Sequence, residues 1–180
     1  MTSEQAMGAT TPQPSIGRGV YLATTAYVAG DVTLGDDCTV MHQAVIRGDV
    51  SAIRIGARVN VQDAAVIHTE YEVPLDIGDD VVIGHRAVVH CRRVGRNTLI
   101  GIGAILLDGA QVGDGCVVAA GAVVPPEMTI PRGKLVMGVP ARVVRDTTET
   151  ERKYVAEVIE HYAELGRKHQ AGMYPNICHR

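Results

Sequence analysis

The chain has 180 residues, enough for one domain or one repeat array. Hydrophobic residues make up 46% although Phe and Trp are both absent, so the core must be built from Val, Ile, Leu and Ala, and intrinsic disorder is excluded for most of the chain. A net charge of −3, from 17 Lys+Arg and 20 Asp+Glu, gives no electrostatic case for nucleic acid or an anionic membrane as partner.

The first fifteen residues (MTSEQAMGATTPQPS) have neither a basic start nor an apolar run, so they read as a loose tail rather than a secretory signal. From Ile16 a single pattern takes over. Aliphatic residues fall at Ile16, Leu22, Val28, Leu34, Val40 and Ile46, then at Ile55, Val61 and Ile67, then at Ile77, Ile83 and Val89, and on from Val94 to Val136. Sixteen of the 19 intervals are six residues, the exceptions being nine (Ile46 to Ile55), ten (Ile67 to Ile77) and five (Val89 to Val94). A small or apolar residue stands four positions later in most units, as at Cys38, Ala44, Ala65, Ala87 and Ala104, and Gly often follows the aliphatic directly. Neither a helical period nor two-residue alternation produces this.

The pattern resembles the hexapeptide-repeat proteins over roughly Ile16 to Val143. The resemblance implies an all-β fold, a left-handed parallel β-helix over residues 16–145 in which three hexapeptides make one triangular coil. The general preference for right-handed crossovers does not supply that hand. Stacking itself follows from physics: one coil cannot bury its apolar side alone, whereas stacked coils share one core. The most apolar stretch, Cys116 to Val124, is about half the length of a membrane span and ends at Pro125–Pro126. Residues 146–170 change period: Tyr154, Val155, Val158, Ile159, Tyr162 and Leu165 recur at helical spacing, and Thr148 with Glu151 forms a capping box. An amphipathic helix covering one face of the prism is expected, weakened in its last turn by Gly166, with residues 171–180 as a second tail. Cys38, Cys91, Cys116 and Cys178 show no C-x-x-C spacing and read as reduced thiols of a cytoplasmic protein.

The six-residue frame turns sequence distance into height, since residues three units apart lie one coil apart, about 4.8 Å. With the two longer intervals looped out, Arg47, His68 and His90 form one vertical column, and the segment from Thr69 to Asp76 loops out beside them. Asp63 and His85 stack on a different face. Two outward imidazoles one coil apart suit zinc. His85 lies around a corner of its own prism, so it completes the set only from a neighbouring chain, as threefold packing would arrange. The same packing brings Arg47 of one chain near Asp63 of the next. His42, His161, His169 and His179 read as ordinary surface histidines.

Arg47-Gly48-Asp49, Asn60-Val61-Gln62-Asp63, His68, Gly84-His85 and His90 together resemble the gamma-class carbonic anhydrase family. The resemblance implies a homotrimer holding zinc, with iron or cobalt as substitutes, between His68 and His90 of one subunit and His85 of the next. It implies reversible hydration of CO2 to bicarbonate by a metal-bound hydroxide at each interface, neutral imidazoles bringing the bound water to a pKa of about 7. It gives Gln62 the role of orienting the hydroxide or CO2, and Arg47 and Asp63 an interfacial ion pair. Asn60 and Asp49 would support the site, and Tyr162 would lie near the metal. Active members carry an acidic residue after Arg-Gly-Asp, where this chain has Val50, and a longer acidic loop. Glu70 and Glu72 are the substitutes as proton shuttle. Two other classes fit the repeat: a metal-holding but weak or inactive scaffold, and a hexapeptide acyltransferase, which would hold no stoichiometric metal.

Overall fold

The computed structural model describes residues 12–175; the remaining parts of both expected tails, with Cys178 and His179, lie outside the described residues. Among the described residues are nineteen strands and one helix, and most strands are two residues long. Each short strand places one residue outward and the next inward, and the inward residue is the repeat aliphatic: Val40, Ile46, Ile67, Ile83, Val89, Ile100 and Leu106 are essentially inaccessible. The strands stack in parallel, giving a left-handed β-helix whose core is one continuous column of aliphatic residues with Ala44, Ala65, Ala87, Ala104 and Cys116 at the corners. A prism this narrow has no layer wide enough for a large ring, which accounts for the composition.

The corners explain two features of the repeat. Three residues after most inward aliphatics the backbone turns through the left-handed region, at Gly103, Gly109, Gly115 and Gly121 but also at Asp37, Gln43, Arg58, Ala64, Asp80, Arg86, Asn97 and Glu127. Side chains there cost on the order of 1–2 kcal/mol per residue, and stacking of the coils imposes the turn regardless. Glycine directly after the aliphatic answers a different need. A Cβ at Gly113 would stand 2.6 Å from the Arg132 backbone nitrogen, and at Gly95 2.4 Å from that of Asp114.

The registers match the six-residue frame. Val45, Val66 and Val88 are successive partners, as are Ile46, Ile67 and Val89, and Arg47 pairs with His68. Val61 pairs with Ile83, and Ile83 with Ile100. The two long intervals depart from simple loops. The nine-residue interval is not looped out: Val45–Ile55 is one continuous strand crossing from one face to another, paired along Tyr27–Leu34 with a bulge between Gly30 and Val32. The lack of side chains at Gly30 and Gly48 lets the two strands touch there. The loop after His68 covers residues 69–74 only, because Asp76 lies inside the strand Leu75–Ile77. At the C-terminal end Lys134–Gly138 and Ala141–Asp146 pair antiparallel, so the coil pattern ends in a hairpin that the repeat did not reveal.

Helix α1 (Glu149–Gln170) begins at the expected capping box: the Glu151 N–H donates to Thr148 Oγ1 at 3.2 Å, and the Thr148 N–H to Glu151 Oε2 at 2.7 Å. Val155 and Ile159 pack on Val82, Leu99 and Val117, which face outward from one sheet of the prism. Gly166 does not end the helix. It is the point of closest approach, where a Cβ would meet Thr39 Cγ2 at 2.4 Å. No helix among the described residues is long and apolar enough to cross a membrane.

The stacking of glycine against the next coil predicts that Gly113→Ala lowers unfolding free energy by about 1–3 kcal/mol, read as a fall in midpoint in denaturant melts.

Candidate metal centre

His68 ends the strand Val66–His68, and His90 follows Val88–Val89 one coil above. Because each directly follows an inward aliphatic, both side chains emerge from the same corner. Their ring centroids are 5.3 Å apart with planes tilted by 39°. His85 follows Val82–Ile83, which belongs to the other sheet, so it leaves the prism at a different corner. Among the described residues, no three His, Cys, Asp or Glu side chains converge within one chain in a way that holds a metal. A single protomer presents a pair and a separate third.

Each of the three imidazoles is held by a carboxylate. His85 Nδ1 lies 3.0 Å from Asp63 Oδ2, and its Nε2 lies 3.3 Å from the Tyr162 hydroxyl. His90 Nδ1 pairs with Asp108 Oδ1. His68 Nε2 lies 3.1 Å from Asp49 Oδ1, and the other oxygen of Asp49 pairs with Arg47. The Arg47 hydrogen bond holds the Asp49 carboxyl below the usual carboxylate range, with a smaller contribution from His68. Carboxylate–imidazole pairing of this kind fixes ring orientation and tautomer and raises ligand basicity. Asp108 is absent from the residues that sequence alone picks out. The signal was available: it is the second residue after Leu106, which pairs with Val89, so it stands beside the coil above His90.

Gln62 is buried, and its Oε1 accepts the His85 backbone N–H at 3.1 Å, which leaves the amide NH₂ as the group it can present. Burial is the main cause that raises the Tyr162 hydroxyl pKa, followed by the Asp63 charge. A cavity of about 500 Å³ lies between this corner and α1, with Gln62, His85 and Tyr162 at its polar end and Leu99, Ile102 and Val158 along its walls. His161 also lines it, which a surface assignment did not anticipate. Asn60 is placed differently. It is buried beneath α1, donates to Thr39 Oγ1 at 2.7 Å, and has no hydrogen-bond partner for its own Oδ1. Arg47 and Asp63 lie at different corners and have separate partners within the chain, Asp49 and His85. Glu70 and Glu72 are exposed, and neither side chain makes a hydrogen bond among the described residues.

Cys91, next to His90, points into the core. Desolvation pushes its thiol up to about 12, and Cys38 up to about 11. His42 belongs to a separate aromatic group, 5.9 Å from His169, which stacks on Tyr21 at 5.3 Å.

Fold and repeat frame define the class: a hexapeptide-repeat protein with a left-handed β-helix. A solved putative acetyltransferase of Bacillus cereus has the same architecture, with a TM-score of 0.85 at 37% identity over 89% of this chain and 93% of its own. Residues 16–166 match the family model described as Dynactin subunit 5. A probable carbonic anhydrase of Methanocaldococcus jannaschii is 51% identical over 150 residues, 83% of this chain and 94% of the relative. A carbonic anhydrase of Geobacillus kaustophilus is 39% identical over 158 residues, 88% and 87% respectively. The chain belongs to the gamma-class carbonic anhydrase-like family, and to the β-helix family that the Dynactin subunit 5 model describes.

Burial raises the pKa of Cys38, Cys91 and Cys116, and only a thiolate attacks alkylating agents. Iodoacetamide at pH 8 should therefore leave all three unmodified in the folded protein and modify them after unfolding, as peptide mass spectrometry would read out.

Proposed function

We propose that the chain is a gamma-type carbonic anhydrase that hydrates CO2 reversibly to bicarbonate as a homotrimer, with a metal site at each interface. The observation that carries this reading is the arrangement of three carboxylate-held imidazoles on two corners of one prism. His68 and His90 form a pair too small to close a site, and His85 faces away from them. Two chains side by side make the set complete.

The registers support that assembly. Asp63 stands one coil below His85, and Ile102 one coil above it. Arg47 stands one coil below His68, and His90 one coil above. When Asp63 is set level with the neighbour's Arg47, His85 comes level with the neighbour's His68. Ile102, 57% exposed in the single chain, then covers the height of the neighbour's His90. One vertical alignment therefore pairs the charges, assembles the imidazoles and buries the exposed apolar side chain.

The donor set fits zinc. Three imidazoles are borderline donors of the type zinc takes, and a three-histidine set leaves one position open. Iron or cobalt suits the same donors. When bound, the ion supplies Lewis acidity that brings the pKa of water from 15.7 to about 7. The remaining work falls to side chains of the chain. Asp63 and Asp108 hold Nδ1 of His85 and His90, so Nε2 is the nitrogen each would offer to the ion, with the Tyr162 hydroxyl 3.3 Å from that of His85. Gln62, locked through its carbonyl to the His85 backbone, offers N–H donors to an oxygen of CO2 or bicarbonate. Tyr162 places a hydroxyl beside His85, and the apolar walls of the cavity suit an uncharged substrate.

Elemental analysis and stopped-flow CO2 hydration on one metal-loaded sample test the reading together. Stoichiometric metal without hydration would mark a scaffold, and absence of metal would favour the acyltransferase class. His85→Ala and His90→Ala are each expected to abolish metal retention and hydration while far-ultraviolet circular dichroism stays unchanged. Mixed trimers of the two variants should regain roughly one intact site in three, because a ring of both types has one junction with every ligand. Asp108→Asn keeps the ring in place but removes a charged acceptor. It should weaken metal affinity about 10–100-fold in chelator competition, with unchanged trimer mass.

A further inference from the structure

Hydration converts CO2 and H2O into HCO3− and H+, so each turnover leaves one proton that must reach solvent. Resting on the proposed function, we infer that His161 of α1 accepts this proton and passes it to buffer. The cavity beside His85 and Gln62 has α1 as one wall. Tyr154, Glu157, Val158 and His161 line that wall at helical spacing, so they share one flank of the helix. The His161 ring lies 5.6 Å from the ring of Tyr162, edge to face, and the Tyr162 hydroxyl lies 3.3 Å from His85 Nε2. His161 is itself exposed, so it joins the reacting end of the cavity to bulk water.

The groups around it suit the task. On its own helix His161 is flanked by Glu157, Glu160 and Glu164, which border the shallow groove on its outer side, with Lys153 and Arg167 further along. Across the cavity stand His85 and, behind it, Asp63, with the Tyr162 hydroxyl against His85 and Tyr154 along the same wall as His161. The three carboxylates offer onward acceptors beside the ring. Imidazole is the side chain that changes charge between pH 5 and 8. Glu70 and Glu72 sit on the 69–74 loop, and neither lines this cavity. The transfer balances simply: the proton leaves a cavity water to form an N–H bond on His161, and a buffer base then removes it.

The test uses the metal-loaded trimer. In dilute buffer His161→Ala should lower kcat for CO2 hydration by at least about tenfold. It should leave kcat/KM, metal content and trimer mass unchanged, and added imidazole buffer should restore kcat. Oxygen-18 exchange at equilibrium should show slowed release of labelled water with unchanged interconversion of CO2 and bicarbonate. Independently of turnover, the His161 ring resonance should shift when zinc is added to the metal-free trimer. Glu70→Gln with Glu72→Gln should keep wild-type kcat. A His161→Ala enzyme with full kcat in dilute buffer, or with a loss that imidazole does not restore, would overturn the inference and leave the carbonic anhydrase reading standing. A wild-type protein that binds zinc but hydrates no CO2 would overturn both.

Discussion

The parallel ladder between coils is the constraint on which the rest depends. Once the chain advances by one coil for every three repeats, each backbone amide is committed to the coil above or below, and every outward side chain acquires a fixed height and corner. Hydrogen bonds such as Gly17 N–H to Leu34 O and Gly113 N–H to Ile130 O repeat this step along the prism at 2.8–2.9 Å. Local preferences yield to it. Gln43, Arg58, Ala64 and Arg86 take the left-handed backbone because the corner has to turn there, whatever residue occupies it. Tertiary stacking offsets a local cost that would be unfavourable in an isolated turn.

That rigidity is also what holds the candidate site in place on the outside of the prism. The three imidazoles do not rely on loops. Each emerges from a corner beside a buried aliphatic, and each is steadied by an acid from its own or an adjacent coil: Asp49 for His68, Asp63 for His85, Asp108 for His90. Helix α1 adds the one element that is not part of the coil. It brings Tyr162 to His85 because Val155 and Ile159 anchor it on the sheet beside that corner, and the closeness allowed by Gly166 keeps its later turns against Thr39.

Much of this was legible before any coordinates, and the reasons differ by residue. The Arg47–His68–His90 and Asp63–His85 columns follow from counting, because a strict ladder converts spacing into geometry. The Thr148–Glu151 cap follows from local chemistry. The nine-residue interval misled because extra residues in a repeat read as a loop, whereas Gly30 and Gly48 let two strands run side by side across the corner. The terminal hairpin was hidden for a similar reason: Val136 keeps the six-residue frame while the partner strand of Lys134–Gly138 reverses direction. Asp108 and His161 escaped because their importance lies in side-chain direction. The frame gives heights and corners, but not which way a carboxylate or a helix flank turns.

Dividing the ligands between corners ties chemistry to assembly in the proposed trimer. Within one chain Arg47 is already paired with Asp49, and Asp63 with His85. An Arg47–Asp63 contact across the interface therefore exchanges partners rather than creating a new ion pair, and exposed pairs of this kind contribute about 0–1 kcal/mol. Charge can fix the vertical register between chains but cannot supply most of the association energy. That would have to come from apolar area, of which Ile102 is the exposed example at the right height, and, in this proposal, from the ion, which would bind the assembled set best and so stabilise the trimer by mass action. On this logic metal binding and trimer assembly would each favour the other without either being strictly required for the other.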